Sequence, residues 1–454
     1  MNGPCCSPSP RRATGPTASR GITAGSGAWR PTNVPCSCTT PIRASSWIGW
    51  TWRDRNRTGS RSGRMRSGSW TPRRAACFAA RVPKDTARPE TTGIFRQEPI
   101  MDKARIGFIG TGWWATANHL PVLRKRADEA GDVELSAVCR LGQDELRQVQ
   151  EAFDVPYGTE DYRRMLDEVA LDGVVVSSPH TLHFEHAAAA LERGLHVMVE
   201  KPMCTKSADA RELVRLANEK GLHLLVPYGW HHKPYIQEAK WQLDAGVVGT
   251  IESVLCHMAS PIRGLLQGLD FDHEANGGGL FAPDPATWAD PVVADGGYGH
   301  AQMSHSLGLM SWLTGLMPRE VFAMMTEAES RVEMYDAVTV RFEDGVIGAL
   351  SGSGDIPEGQ MFQLDIRIFG SEGMLLLDVE RARLAIHRHD GRDQVHDVAP
   401  DAGAYSCEGP PENFADLVLG RDVENYTPGD AAMRSVMILD AAYRSSKSGV
   451  LERV

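Results

Sequence analysis

From residue 105 onward, short unbroken apolar runs alternate with segments in which apolar residues return every three or four positions. The runs 105–109, 133–139, 173–177, 196–199 and 223–226 read as strands, and 173–177 is continuous in the way of a strand buried on both faces of a parallel sheet. Between them, 116–128, 144–153, 162–169, 183–193 and 207–220 carry helical spacing; Leu146, Val149 and Phe153 mark one such face. Strands alternating with helices predict βαβ units with right-handed crossovers.

After Pro227 the rhythm changes. A helix at 235–245 and a strand at 250–258 lead into a Gly-, Pro- and Asp-rich loop, 262–296, and then a helix at 300–314. Strands follow at 320–326, 335–343, 346–352, 362–369, 374–378 and 383–389. Glu343-Asp344-Gly345 and Asp390-Gly391 are turn signals between them. Consecutive hairpins predict a mostly antiparallel open sheet. Helices at 411–420 and 429–447 close the chain. The reading is of an α/β domain over 101–226, an α+β domain over 227–454, and an extension over 1–100.

Composition separates that extension from the rest. Residues 1–100 hold 16 Arg and one Lys against four acids, and none of the 15 histidines. The remainder holds 31 bases against 54 acids. The extension has no apolar period and too little apolar surface to offset its ordering entropy, so disorder is expected there. Arg57, Arg61, Arg64 and Arg66 admit a nucleic-acid arm. Arg11-Arg12 admit an export signal, although no apolar region follows. The reading that fits best is that Met101 is the true start. The acidic remainder argues against nucleic acid. No run approaches the ~18 apolar residues of a membrane span, and no CxxC pair suggests a metal ribbon. Cys139, Cys204, Cys256 and Cys407 lack ligand spacing, which fits a reducing cytoplasm.

The first strand runs into Gly110-x-Gly112-x-x-Ala115, which opens a helix. That is the setting of a dinucleotide-binding turn: Gly110 for the bend, Gly112 for close approach of the diphosphate, Ala115 for helix–strand packing. The first domain therefore reads as a Rossmann domain. Trp113 and Trp114 fill the variable positions, either as packing or as a wall beside the nicotinamide or substrate. The second strand ends at Arg140, where an acid would bind a ribose 2′-hydroxyl. An Arg there suits a 2′-phosphate, so the expected cofactor is NAD(P), with NADP favoured. Gly110 and Arg140 lie farther apart than the usual ~20 residues, which suggests an insertion near 125–132.

Two further motifs follow, Ser178-Pro179-His180-x-x-His183 and Glu200-Lys201-Pro202. With the glycine turn and the 303–315 segment, which holds His305 and Trp312-Leu-Thr-Gly315, the chain resembles the Gfo/Idh/MocA family of NAD(P)-dependent oxidoreductases. The resemblance covers about 103–450. It implies a Rossmann domain followed by an open-sheet domain, and hydride transfer at a carbinol carbon of a sugar, polyol or sugar derivative. It implies Lys201 and His305 as the catalytic pair and a cis peptide before Pro202. It places Ser178, Pro179, His180, His183, Glu200 and Lys201 with Gly110, Gly112, Trp113, Trp114, Ala115 and Arg140 around the cofactor. A homodimer or homotetramer through the open sheet face is expected.

Many members carry an Asp four residues before the His; here that position is Ala301, flanked by His300 and Gln302. Substrate contacts are therefore expected from Lys201, Trp230, His231, His300, Gln302 and His305. His180, His183 and His186, three apart, drift around a helix, so no metal is expected. Two other functions stay open: a glycosidase using NAD for transient oxidation, and a non-catalytic cofactor-binding regulator.

Overall fold

In a computed structural model of the chain, residues 101–269, 278–357 and 360–454 are described. The extension 1–100 and its expected disorder lie outside the described residues, as do Asp272 and His273 of the long loop.

Six parallel strands form the first sheet: β1 Ala104–Ile109, β2 Val133–Cys139, β3 Tyr157–Thr159, β4 Gly173–Val176, β5 His196–Val199 and β6 Leu224–Leu225. Their order is β3-β2-β1-β4-β5-β6, so the chain reverses direction across the sheet between β1 and β4. Ligands bind at the carboxyl ends of strands at such a switch point. Strand alternation feeds two cores. Phe108, Val175 and Met198 pack with Leu120 and Leu123 of α1 (Leu120–Glu129) and Leu146 and Val149 of α2 (Gln143–Phe153) on one face. Ile109, Val174, Val176 and Val199 pack on the other against α4 (His183–Glu192) and α5 (Ser207–Lys220). Helix α3, Tyr162–Glu168, starts at Asp161, whose carboxylate accepts Arg163 N–H at 2.9 Å.

Helix α6, Pro234–Asp244, leads to the second sheet. It comprises β7 Ile251–Ala259, β8 Pro318–Thr326, β9 Tyr335–Phe342, β10 Ile347–Ser353, β11 Gln363–Gly370, β12 Gly373–Asp378, β13 Arg383–Arg388, β14 Gln394–His396 and β15 Glu452–Arg453. The order β14-β13-β12-β11-β7-β10-β9-β8-β15 is open at both ends. The pairing is antiparallel except between β7 and β10. The run of hairpins expected from the turns therefore breaks once: β7, an earlier strand, lies between β10 and β11, which are consecutive in the chain. Helices Ser304–Thr314 and Gly429–Ser448 cover the inner face. The outer face leaves Leu255, Phe322, Met324 and Ile347 exposed.

The helix Gly409–Val418, assigned by sequence to the second domain, returns to the first sheet. Phe414 and Val418 pack beneath it, and buried Arg126 joins Asp132, Glu412 and Asp416 at 2.6–3.0 Å. No helix among the described residues is long and apolar enough to cross a membrane.

Behind the start of helix Ser304–Thr314 lies an acidic pair. Glu333 accepts N–H bonds from Gly297 (2.6 Å) and Gly299 (2.9 Å) and the Tyr443 hydroxyl (2.5 Å). Buried Asp336 has no partner on either oxygen. Burial, then the neighbouring Glu333, raise its pKa well above the usual carboxylate range. The pKa is raised on folding, so the stability Asp336 contributes is full below its unfolded value of about 3.9 and declines as pH rises toward the folded value. Asp336→Asn abolishes that decline. The melting advantage of the variant over the parent is expected to widen between pH 5 and pH 8, by on the order of 1–3 kcal/mol. A pH-independent difference in thermal melts would show the carboxyl already ionised.

Candidate active site

The glycine turn sits at the switch point. Gly110 has φ 85°, and a Cβ there would lie 2.6 Å from the backbone of Ser177 and Ser178. Nothing lies within 4 Å of where a Cβ on Gly112 would stand, so that residue faces open space. Ala115 is buried and begins a π-helical turn, Ala115–His119, that runs into α1. This turn plus α1 accounts for the long Gly110–Arg140 spacing; there is no separate inserted element. Thr111 Oγ1 is buried without a partner.

A cleft of about 520 Å³ opens over this turn. Arg140 lies in its wall directly after β2, its Nη1 donating to Thr111 O at 2.7 Å. Its guanidinium stands 3.8 Å from the centre of the Phe281 ring. Its Nε is buried without a partner. Burial lowers its pKa, opposed only by Glu145. An under-neutralised guanidinium and an orphaned hydroxyl beside an open glycine turn suit the phosphates of a dinucleotide.

Trp114, Ser178, Pro179, His180, His183, Glu200 and Lys201 line the same cleft. Trp113 is buried, with Nε1 donating to Gly278 O at 2.8 Å, and meets Trp114 edge-on at 5.5 Å. His183 Nδ1 and Nε2 stand 2.7 Å from the carbonyl oxygens of Pro202 and Ser178, tying β4's end to the loop after β5. His186 Nδ1 meets Ser178 Oγ at 2.9 Å, and burial pushes its pKa down to about 4. His180 lies between His183, Trp288 and His300, and burial holds it well below the ordinary histidine value. Among the described residues no cluster of His, Cys, Asp and Glu converges on a metal position.

The Lys201–Pro202 peptide is cis. Lys201 is buried and its Nζ donates to Ala301 O at 2.7 Å. The backbone of a second π-helical turn, Gly299–Met303, thus meets the lysine where a carboxylate was missing from the sequence. Burial lowers the Lys201 pKa, against the pull of Glu200. Glu200 accepts Lys201 N–H at 3.0 Å and pairs with His119 Nε2 at 2.6 Å. Burial alone would raise Glu200; the His119 bond and the Lys201 charge outweigh it and bring the carboxyl below its usual value. Sequence reasoning missed His119, although a His one turn past the glycine loop was a visible signal.

The expected substrate side is organised differently. Among the described residues that line the cleft, Trp230, His231, His300, Gln302 and His305 are absent. His305 is enclosed edge-on by Tyr228, Trp230 and Tyr405 at 5.3–5.8 Å, with Nδ1 unpartnered. Burial, then Lys201 and His231, hold it well below the ordinary value. Trp230 donates Nε1 to Gly403 O at 3.0 Å. His231 packs between Tyr228 and Trp312 and is pushed down to about 3 by burial. His300 packs on Tyr443, its Nδ1 3.4 Å from Ala294 O, at about 4. Gln302 is half-buried.

Comparison with known proteins agrees with this architecture. Residues 104–228 match the model of the oxidoreductase family with an NAD-binding Rossmann fold, and residues 236–376 match that of the GFO/IDH/MocA C-terminal domain. The chain is 26% identical over 367 residues to dTDP-3,4-didehydro-2,6-dideoxy-alpha-D-glucose 3-reductase of Streptomyces violaceoruber, covering 75% of this chain and 95% of that protein. It is 26% identical over 208 residues to D-xylose 1-dehydrogenase (NADP(+)) of Haloarcula marismortui, covering 42% of this chain and 56% of that protein, about half its length. The crystal structure of the WlbA dehydrogenase from Bordetella pertussis, in complex with NADH and UDP-GlcNAcA, superposes with a TM-score of 0.58 at 23% identity, over 78% of this chain and 99% of that one. The chain belongs to the GFO/IDH/MocA family of oxidoreductases.

Proposed function

We propose that the protein is an NAD(P)-dependent dehydrogenase or reductase acting on a carbinol carbon of a sugar, polyol or sugar derivative. The observation that carries this is Lys201: a buried ammonium of lowered pKa in the same cleft as a glycine turn at the switch point. The names of the relatives, a nucleotide-sugar reductase and a sugar dehydrogenase, point the same way.

Gly110, Gly112, Thr111, Ala115 and Arg140 would hold the dinucleotide, with Trp113, Trp114, Ser178, Pro179, His180, His183 and Glu200 beside it. When bound, NAD(P) supplies the hydride acceptor or donor, so the protein must hold two carbons together and move one proton. Lys201 orients the reacting oxygen and moves the proton in this reading. Its bond to Ala301 O fixes the amine, and its remaining valences serve the reacting oxygen. In the oxidation direction neutral Lys201 takes the hydroxyl proton; in reduction the ammonium returns it. Glu200, held ionised by His119, keeps the lysine from losing its charge altogether. His305, the other expected catalytic group, stands behind Lys201 as a neutral, caged imidazole. Trp230, His231, His300 and Gln302 then act on the substrate through the packing around it. The exposed apolar residues of the second sheet suit a homodimer or homotetramer, and the free thiols among the described residues, Cys139, Cys204, Cys256 and Cys407, suit a cytoplasmic location.

NADP is the favoured cofactor, on the strength of Arg140. In titrations read by tryptophan quenching, NADPH is expected to bind at least ~10-fold more tightly than NADH, the worth of one charge-assisted contact of ~1.4 kcal/mol. Arg140→Ala is expected to remove the difference. Tighter NADH binding would overturn the NADP preference and leave the oxidoreductase.

A further inference from the structure

Three successive backbone N–H groups at the start of the second π-helical turn end on one residue. Gly297 N–H donates to Glu333 Oε2 at 2.6 Å, Tyr298 N–H to Glu333 O at 2.9 Å, and Gly299 N–H to Glu333 Oε1 at 2.9 Å. These are groups that the start of a helix leaves without an intrahelical acceptor. The approach is close: a Cβ on Gly297 would stand 2.2 Å from Glu333 O. Glu333 lies buried in the connection from β8 to β9, and its surroundings hold it. Its neighbour Met334 donates N–H to Thr326 O and accepts Gly354 N–H, both at 2.8 Å, and the Tyr443 hydroxyl donates to Oε1.

The same turn meets Lys201. Ala301 N–H donates to Gly297 O at 2.9 Å, and Ala301 O accepts from Lys201 Nζ at 2.7 Å. The carbonyl that fixes the amine is thus two residues past an N–H that Glu333 holds. A shift of the turn moves the amine with it, and misplacement by ~1 Å can cost ~100-fold in rate. We propose that Glu333 is a positioning residue for proton transfer, holding the 297–303 backbone so that Ala301 O sets the Lys201 amine against the reacting oxygen. The proposal rests on the reading of Lys201 as the group that moves the proton.

The test uses the full chain. Glu333→Gln keeps the volume but turns an amide NH₂ toward one of the two glycine N–H groups. Glu333→Asp keeps the carboxylate but is one methylene too short to reach both. Steady-state oxidation is followed with NAD⁺ and NADP⁺ on D-xylose, D-glucose, their methyl β-glycosides and the matching alditols. On the fastest probe both variants are expected to lose ~10-fold or more in kcat, with KM and nucleotide Kd within ~3-fold of the parent. Competitive acetylation with acetic anhydride, read by peptide mass spectrometry, titrates the Lys201 amine directly. In both variants it is expected to titrate at lower pH, because the carbonyl that supports the ammonium is displaced. Glu200, Cys407, His180, His183 and His305, the groups whose charges act with Lys201, are the same in every variant. In a Lys201→Ala background Glu333→Gln is expected to cost less than ~2-fold more, since the group it serves is gone.

A loss in Glu333→Gln that Glu333→Asp escapes would make the effect one of charge and overturn the proposal. So would variants that melt lower yet keep the parental kcat and Lys201 titration, or losses that multiply in the Lys201→Ala background. Failure of the oxidoreductase reading looks different: the parent turns over no probe, and the Lys201 titrations of parent and variants then decide the positioning alone.

Discussion

Replacing Lys201 by alanine is expected to lower kcat/KM for sugar oxidation by about 10³-fold, or ~4 kcal/mol of transition-state stabilisation. Nucleotide affinity should stay within a few-fold, because the turn and Arg140 are untouched. The size follows from Lys201 doing two things at once: moving the proton and opposing the charge that develops on the reacting oxygen. The sign of the pH dependence follows from burial. Oxidation needs the neutral amine, so kcat/KM should rise with pH and level off at a pKa below the ordinary lysine value. The reduction direction should show the mirror profile. Lys201→Arg keeps the charge but not a proton that can be released, and should be as inactive in oxidation as the alanine. A flat profile, or an arginine variant with near-parental activity, would move proton transfer to another group. His119→Phe sharpens the assignment. Without its partner Glu200 loses its main support as an anion, so the plateau should shift to lower pH while the lysine stays in place.

The parts of this site that were legible in the sequence stand at strand ends. Gly110, Arg140, Ser178 and Lys201 each follow an apolar run, and in a parallel sheet the ends of such runs converge at the switch point. Residues brought in by distant segments were not legible. Phe281 and Trp288 come from a loop with no period to place it, and Tyr405, which cages His305, lies 100 residues further along the chain. Nothing local to His305 tells an enclosed ring from one in a cleft. Ala301 shows the limit of reading side chains alone: where the carboxylate was missing, a backbone carbonyl meets the lysine. The fold divides similarly. Strands β2 and β5 and helix α5 have the expected bounds, because their apolar patterns are long or unbroken. Strands β3, β14 and β15, of two or three residues, are too short for a period and exist through their partners. The parallel β7–β10 pair was hidden because turn residues report hairpins, not insertion of an earlier strand between two later ones.

Gly110 and Gly112, two residues apart, should separate folding from cofactor binding. Gly110→Ala is expected to cost on the order of 2–3 kcal/mol of stability, since an L-residue is forced to φ 85°. It should also lose most nucleotide binding. The new methyl would stand 2.6 Å from the Ser177–Ser178 backbone, which has no rotamer with which to move away. The strain therefore falls on the junction of β1 with β4, the point where both strands open into the cleft, and is relieved only by parting them. Gly112→Ala meets nothing within 4 Å, and its φ is not positive. Its melting temperature should match the parent, while NADPH affinity falls ~10-fold or more, because the methyl projects into the space left for the diphosphate. Thermal melts and NADPH titrations on the two variants check both claims. A Gly112→Ala protein with parental affinity would place the nucleotide elsewhere. A Gly110→Ala protein with parental stability would mean that β1 and β4 are held less closely at this end than the 2.6 Å approach implies.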